Sequence, residues 1–241
     1  MLICPGGAYS EISDIEAEPI ARAYMARGYN TAIIYYTCKR NAGALYDAEK
    51  DVAKPHLEVS KSICIIRDNA EEWHVDPEKI AVIGFSAGGH LAGSASILWN
   101  DERLVKALGC PEGYNKPNAA ILCYPVVTFT EEYAHKGSRD NLLGDYKTEE
   151  NLARYSLEKQ VTDTCPTFVV HAVDDSGVLV HNSIALITAL KNAGVSFESH
   201  LFPWGEHGFS LATREVYPQH DDYLARWLGW SIDWLETIFD F

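Results

Sequence analysis

The sequence predicts an α/β protein, a mostly parallel sheet with helices on both faces. Two observations carry this. Short apolar runs rich in β-branched and aromatic residues alternate, end to end, with longer segments of helical spacing. Three of the runs, at 31–36, 80–83 and 119–124, read as buried strands. With 241 residues, 47% hydrophobic and 22% charged, the chain can bury a sizeable core, and disorder of its bulk is excluded. Residues 1–241 are read as one domain, without internal repeats or low-complexity linkers.

Residues 1–4 form a short apolar start, and Pro5-Gly6-Gly7 turns the chain. Ser13-Asp14-Ile15-Glu16 fits a capping box, with Gly28 closing the helix that follows. Thr31–Tyr36 reads as a buried strand. From 55 to 73, Leu57, Ile63, Ile66, Ala70 and Trp73 recur at helical spacing, and Asp76-Pro77 breaks the pattern. Ile80–Ile83 is the next buried strand, ended by Gly84, and Ala87–Trp99 is a helix of small and apolar residues. Ala119–Tyr124 is another strand. Residues 125–160 are polar and irregular, with one or two short helices, and are read as a lid or substrate-loop insertion. Thr167–His171 is a strand, Asn182–Asn192 a helix stopped by Gly194, and Phe197–Phe202 the last strand. The final helix spans 220–238, with Leu224, Trp227, Trp234 and Leu235 on its core face.

The net charge of −14 argues against nucleic-acid binding, which needs a cationic face. No apolar run reaches the length of a membrane span, and the start lacks the pattern of a signal peptide. Six cysteines at 4, 38, 64, 110, 123 and 165 form no C-x-x-C pair. They read as buried free thiols of a reducing compartment, so a cytoplasmic location is expected. No metal-ligand cluster is apparent, and neither metal nor cofactor is expected.

Gly84-Phe85-Ser86-Ala87-Gly88 has the form G-x-S-x-G. Its context is what makes it specific: it follows a buried strand and opens a helix of small residues, the strand–turn–helix that exposes a nucleophilic serine. A serine needs a base, and the base needs an orienting acid. Among nine histidines His207 stands out, in a glycine-flanked loop between the last strand and the last helix. His90 and His171 read as packing residues. Asp174 and Asp175 both follow the Thr167–His171 strand and lie between Ser86 and His207 in chain order. The backbone N–H of Ala87, next to the nucleophile, is one candidate oxyanion donor. The other comes from Pro5-Gly6-Gly7-Ala8-Tyr9, through Gly7 or Ala8.

These segments together resemble α/β-hydrolases of the esterase/lipase and prolyl-oligopeptidase-like group, and more closely bacterial acetyl-xylan-esterase-like carbohydrate esterases. The family carries a P-G-G-G-Y-type loop, G-F-S-A-G-G-H-L-A, a strand followed by H-x-x-D-D-x-x-V-P, and a late G-x-H-G. The counterparts are Pro5–Tyr9, Gly84–Ala92, His171–Leu179 and Gly205–Gly208, so the resemblance covers nearly the whole chain. It implies a three-layer α/β-hydrolase sandwich and selects Asp175, four residues after His171, as the acid. Ala8 replaces a glycine and Leu179 a common proline. An alanine serves in the oxyanion loop if its φ is negative. The family usually has strands before this loop, so the chain reads as lacking the first strands. Residues 1–4 would then be an exposed edge that favours a homodimer.

The resemblance implies a serine esterase acting on short-acyl, acetyl-type esters of xylan-derived or other carbohydrates. Tyr9 and Trp204 are read as substrate-binding, with Phe129 and Tyr133 as further lining. Two alternatives remain open: a serine peptidase of the prolyl-oligopeptidase type, although the length leaves no room for the extra propeller domain, and a catalytically inactive binding protein on the same fold.

Overall fold

The computed structural model describes residues 1–240. Six parallel strands form the sheet: β1 (Leu2–Cys4), β2 (Ala32–Ile33), β5 (Ala81–Phe85), β6 (Ala119–Cys123), β7 (Thr167–Ala172) and β8 (Phe197–Phe202). Their order is β2-β1-β5-β6-β7-β8. β3 (Tyr46–Asp47) and β4 (Val52–Ala53) form a separate antiparallel hairpin that the sequence reading did not anticipate. All six sheet strands coincide with the expected runs, although the run at 31–36 is strand only over Ala32–Ile33, with Ile34 N–H adding a bond to Ile3 O.

The central strands β1, β5, β6 and β7 are buried on both faces because the helices divide between them, whereas the edge strands β2 and β8 are only partly buried, so the 31–36 run is not the buried strand expected. Val82, Leu122 and Val169 point to one side, against α3 (Lys54–Asp68), α4 (Ala87–Ile97) and α8 (His181–Asn192). Ile83, Ile121 and Phe168, in register across three strands, point to the other. There they meet α1 (Glu18–Met25) and α9 (Arg226–Phe239), whose Trp227, Trp234 and Leu235 are buried. Period-2 side-chain alternation thus feeds two apolar cores from strands that look uniformly apolar in sequence.

Several expectations are corrected. β1 is not an edge: β2 flanks it on one side and β5 on the other. Ser13 makes no side-chain cap. A 3-10 turn, Asp14–Glu16, precedes α1, and Glu16 turns inward instead. α3 ends at Asp68 and α9 begins at Arg226, each flanked by turns where helix was expected. The 102–108 region forms an unexpected helix, α5 (Glu102–Leu108), whose N-cap Asp101 accepts from the N–H groups of Arg103 and Leu104. α2 (Lys39–Ala42) is one short turn.

Residues 125–160 carry α6 (Lys136–Leu143), α7 (Glu149–Arg154) and a 3-10 turn, and they are less polar in place than in sequence. Val126, Val127, Phe129, Leu142, Leu143, Tyr155 and Leu157 all join the core on the α4 side. Among the described residues no helix is long and apolar enough to cross a membrane. Among the described residues the cysteines are unpaired thiols, five of them buried.

Candidate active site

Strand order reverses between β1 and β5, so the loops leaving their C-terminal ends diverge to opposite faces and open a crevice. Cys4 pairs in register with Gly84, which places the loop after β1 beside the turn after β5. Close approach there demands glycine. A Cβ on Gly88 would sit 2.1 Å from the Cys4 carbonyl oxygen and 2.3 Å from that of Pro5. A Cβ on Gly84 would sit 2.0 Å from the Gly88 carbonyl oxygen.

Ser86 occupies that turn at φ 54, ψ −120, a left-handed conformation rare for a non-glycine residue. Its N–H donates to the Cys123 carbonyl at 3.0 Å, and its carbonyl accepts from His90 N and Val126 N, so the strained backbone is held from both sides. The side chain is 7% exposed. Its Oγ lies 2.8 Å from His207 Nε2, and His207 Nδ1 lies 2.7 Å from Asp175 Oδ2.

Asp175 is 2% exposed, yet four donors surround it. Oδ1 accepts from the N–H groups of Gly177 (2.9 Å) and Val178 (2.8 Å). Oδ2 takes His207 and, at 3.2 Å, His171 Nε2. Burial alone would raise its pKa; the hydrogen bonds from His171 and His207 outweigh burial and hold the carboxyl well below the usual range. An ionised carboxylate only accepts, so His207 Nδ1 carries the proton and Nε2 presents a lone pair to the serine hydroxyl. Asp174 sits differently: its Oδ1 accepts from Glu206 N and steadies the histidine loop.

Beside the serine, three consecutive peptide planes are pinned. Pro5 O accepts from Tyr36 Oη at 2.7 Å, Gly6 O from Ser13 N, and Gly7 O from Ser10 N and Glu11 N. Each anchored carbonyl orients the N–H across its own peptide plane. Those N–H groups belong to Gly6, Gly7 and Ala8. Gly6 N–H donates to Glu16 Oε2 at 2.9 Å, whereas those of Gly7, Ala8 and Ala87 meet no protein acceptor among the described residues. The geometry differs from expectation at Ala8, whose φ is +54, followed by Tyr9 at +58. Alanine is therefore tolerated here at a strained angle, not through a negative φ.

The aromatic expectations divide. Tyr9 is 1% exposed and its Oη meets His90 Nδ1 at 2.8 Å, so it supports the loop from beneath and offers no face to a substrate. Phe129 is buried against the His90 ring. Trp204 is half exposed and donates Nε1–H to Asp221, and Tyr133 packs beside His181. Two residues escaped the sequence reading. Tyr124, at φ 36, sets its ring edge-on to His207. Glu16, 3% exposed, accepts from both Gly6 N and Tyr124 Oη. Among the described residues no group of three His, Cys, Asp or Glu is placed to hold a metal ion.

A serine–histidine–carboxylate line on a six-stranded parallel sheet, its serine and carboxylate buried and its histidine part-exposed, narrows the relatives considerably. Residues 20–231 match the prolyl oligopeptidase family, peptidase family S9. The chain belongs to that family. It is 34% identical over 242 residues to endo-1,4-beta-xylanase B of Butyrivibrio fibrisolvens, covering 99% of this chain and 35% of that protein. It is 30% identical over 240 residues to an acetylxylan esterase of Xylanibacter ruminicola, covering 97% of this chain and 44% of the relative. The chain thus spans less than half the length of these relatives. Among solved structures, an acetyl ester-xyloside bifunctional hydrolase from Caldicellulosiruptor lactoaceticus superposes with a TM-score of 0.82 at 32% identity, over 98% of this chain and 82% of that one. A carboxylesterase, Cest-2923 of Lactobacillus plantarum, superposes with a TM-score of 0.83 at 27% identity, over 98% and 84%. The architecture of this prolyl oligopeptidase family member is accordingly the α/β-hydrolase fold.

Proposed function

We propose that the chain is a serine esterase that removes short acyl groups, acetyl foremost, from carbohydrate esters. The observation that carries this reading is the hydrogen-bonded line from Ser86 Oγ through His207 to Asp175, 2.8 and 2.7 Å long. The relatives described as acetylxylan esterase and acetyl ester-xyloside hydrolase support the substrate class.

In this reading His207 Nε2 takes the Ser86 proton as Oγ attacks the ester carbonyl. The carbonyl oxygen becomes an oxyanion, and the N–H of Ala87 with that of Gly7 or Ala8 is free to receive it. Asp175 holds the imidazole in the productive tautomer and stabilises the imidazolium. His207 returns the proton to the departing alcohol, and the same histidine then activates water to release the acid from the acyl-enzyme.

Hydrolysis of p-nitrophenyl acetate by the wild type and by Ser86→Ala tests the chemistry. A clear wild-type rate that disappears in the variant is the expected result; an equal rate in both rejects serine acyl transfer at this position. Acetate release from acetylated xylo-oligosaccharide tests the substrate and should exceed release from long-chain esters. Equal or faster cleavage of the long-chain esters rejects the acetyl-carbohydrate assignment. The family's peptidase membership favours a second reading, cleavage of peptides after proline, which turnover of proline-containing over proline-free peptides would support.

A further inference from the structure

Glu16 is a buried carboxylate that the chemistry above does not use. We propose that Glu16 is a positioning residue of the active centre, holding the oxyanion loop through Gly6 and the histidine loop through Tyr124; the proposal rests on the esterase reading for the roles of those loops. Its two oxygens divide the work. Oε2 accepts the Gly6 N–H at 2.9 Å, and a Cβ on Gly6 would lie 3.1 Å from Ser86 Cβ, so this contact is made right beside the nucleophile. Oε1 accepts the Tyr124 hydroxyl at 2.7 Å. That hydroxyl in turn accepts the N–H of Ser210, three residues after His207, at 3.0 Å. The Tyr124 ring stands edge-on to the His207 ring, centroids 5.2 Å apart at 71°. Ser210 Oγ closes the circuit by donating to Ile15 O, next to Glu16 in the chain.

Two further observations separate this from ordinary packing. First, the backbone around the carboxylate is strained at successive non-glycine residues: Ala8, Tyr9, Ser86, Tyr124 and Ser210 all have φ between +36 and +58. Such conformations persist only where the surroundings over-determine them, and they concentrate at working sites. Second, the neighbours of Tyr124 and Ser210 are Phe85, Phe209 and Trp227, an apolar setting in which a carboxylate is costly and an apolar side chain would serve stability better. Burial raises the Glu16 pKa, and the hydrogen bonds from Tyr124 and Gly6 oppose the rise. A carboxylate accepting from both partners fits the donors it meets.

The test is steady-state kinetics on p-nitrophenyl acetate, together with the rate at which a fluorophosphonate captures Ser86. In that capture Oγ bonds to phosphorus, fluoride leaves, and the serine proton passes to His207. Glu16→Gln keeps the shape and one acceptor but removes the charge. It should stay folded by near-ultraviolet circular dichroism and lower kcat about ten-fold or more while KM stays within about two-fold. Ser86 capture should slow in parallel. Tyr124→Phe keeps the ring on His207 and deletes only the hydroxyl; it should act in the same direction. The double variant should be no slower than the slower single, because both act through one path. Wild-type kcat in folded Glu16→Gln, or multiplying defects in the double variant, overturns the proposal. If Glu16→Gln does not fold, Tyr124→Phe decides: a roughly ten-fold loss in kcat at unchanged KM supports it, and a wild-type kcat overturns it. A wild type without Ser86-dependent ester turnover would defeat the esterase reading instead, and the Ser86 capture rates would still report on Glu16.

Discussion

His171 brings Nε2 to 3.2 Å from Asp175 Oδ2, the same oxygen that receives the His207 N–H. The ring is fully buried, and Nε2 also meets the Val178 carbonyl at 2.8 Å, so that nitrogen carries the proton. Nδ1 then accepts from Ser183 Oγ at 2.7 Å. Asp175 is thereby clamped between a surface-facing histidine and a core one. His171→Phe should leave Val178 O and the Ser183 hydroxyl buried without partners, a loss of about 2–4 kcal/mol in urea unfolding. The loosened carboxylate should also lower kcat on p-nitrophenyl acetate. Unchanged stability would mean that His171 is packing alone.

Asp175→Asn places an amide where a pure acceptor stood. Its N–H₂ would face His207 Nδ1, favour the tautomer protonated at Nε2, and turn a donor toward Ser86. A fall in kcat on the order of a thousand-fold or more is expected. The pH dependence of stability has a defined sign. The folded carboxyl titrates below its unfolded value of about 3.9, so its contribution is complete above that pH and is lost as pH falls further. The urea-unfolding difference between wild type and Asp175→Asn should be steady from neutral pH to about pH 5 and shrink below about pH 4. A difference that grows on acidification would show that this carboxylate is not the stabilised form.

The parts of the site that local pattern encodes were legible. Buried parallel strands show as unbroken apolar runs, and Ser86 and Asp175 each follow one of them, whereas His207 follows the mixed, half-buried strand Phe197–Phe202. The parts set by tertiary partners were not. Ser13 and Glu16 have the spacing of a capping box, and nothing local reveals that Glu16 instead meets Tyr124, 108 residues away. Tyr9 and Phe129 look like lining residues, but His90, on the inner face of α4, draws both into the core. Residues 1–4 look like an edge because the strand that covers them, Ala32–Ile33, lies later in the chain. Backbone dihedrals were least legible of all: an alanine at φ +54 is allowed only by bonds its neighbours make.

Gly177 offers a probe of His207 placement that leaves the backbone alone. A Cβ there would lie 2.9 Å from His207 Cγ and 3.0 Å from its Cβ, atoms too close to the main chain to swing away. Gly177→Ala should therefore push the imidazole out of line with Ser86. We expect a loss in kcat of about ten-fold or more with a change in stability under about 1 kcal/mol. Gly88→Ala is the contrasting case. Its Cβ would strike the carbonyls of Cys4 and Pro5, backbone atoms that cannot yield, so failure to fold is expected. Equal kinetics for Gly177→Ala and wild type would show the histidine loop to be pliable.

Acid sensitivity should arise beneath the oxyanion loop as well as within the triad. His90 is fully buried on α4, its Nε2 is 2.8 Å from the Tyr155 carbonyl, and its Nδ1 is 2.8 Å from Tyr9 Oη. A carbonyl only accepts, so Nε2 holds the proton, and Nδ1 must stay bare to take the Tyr9 hydroxyl. Burial pushes the His90 pKa down to about 4, whereas in the unfolded chain it would titrate near 6.5. Between those values the unfolded chain binds a proton that the native state refuses, so stability falls as pH is lowered from about 6.5 to about 4, by on the order of 3 kcal/mol. Burial pushes His56 down to about 3, which adds a slope of the same sign. His90→Gln cannot titrate in this range and should flatten part of the decline in urea unfolding between pH 7 and 4.5. Protonation of native His90, near pH 4, also removes the acceptor under Tyr9, the residue that follows Ala8, so wild-type turnover of p-nitrophenyl acetate should be lost reversibly around that pH. A wild-type stability that is level, or that rises on acidification, would mean that His90 is charged in the fold and that the Tyr9 hydroxyl bond runs the other way.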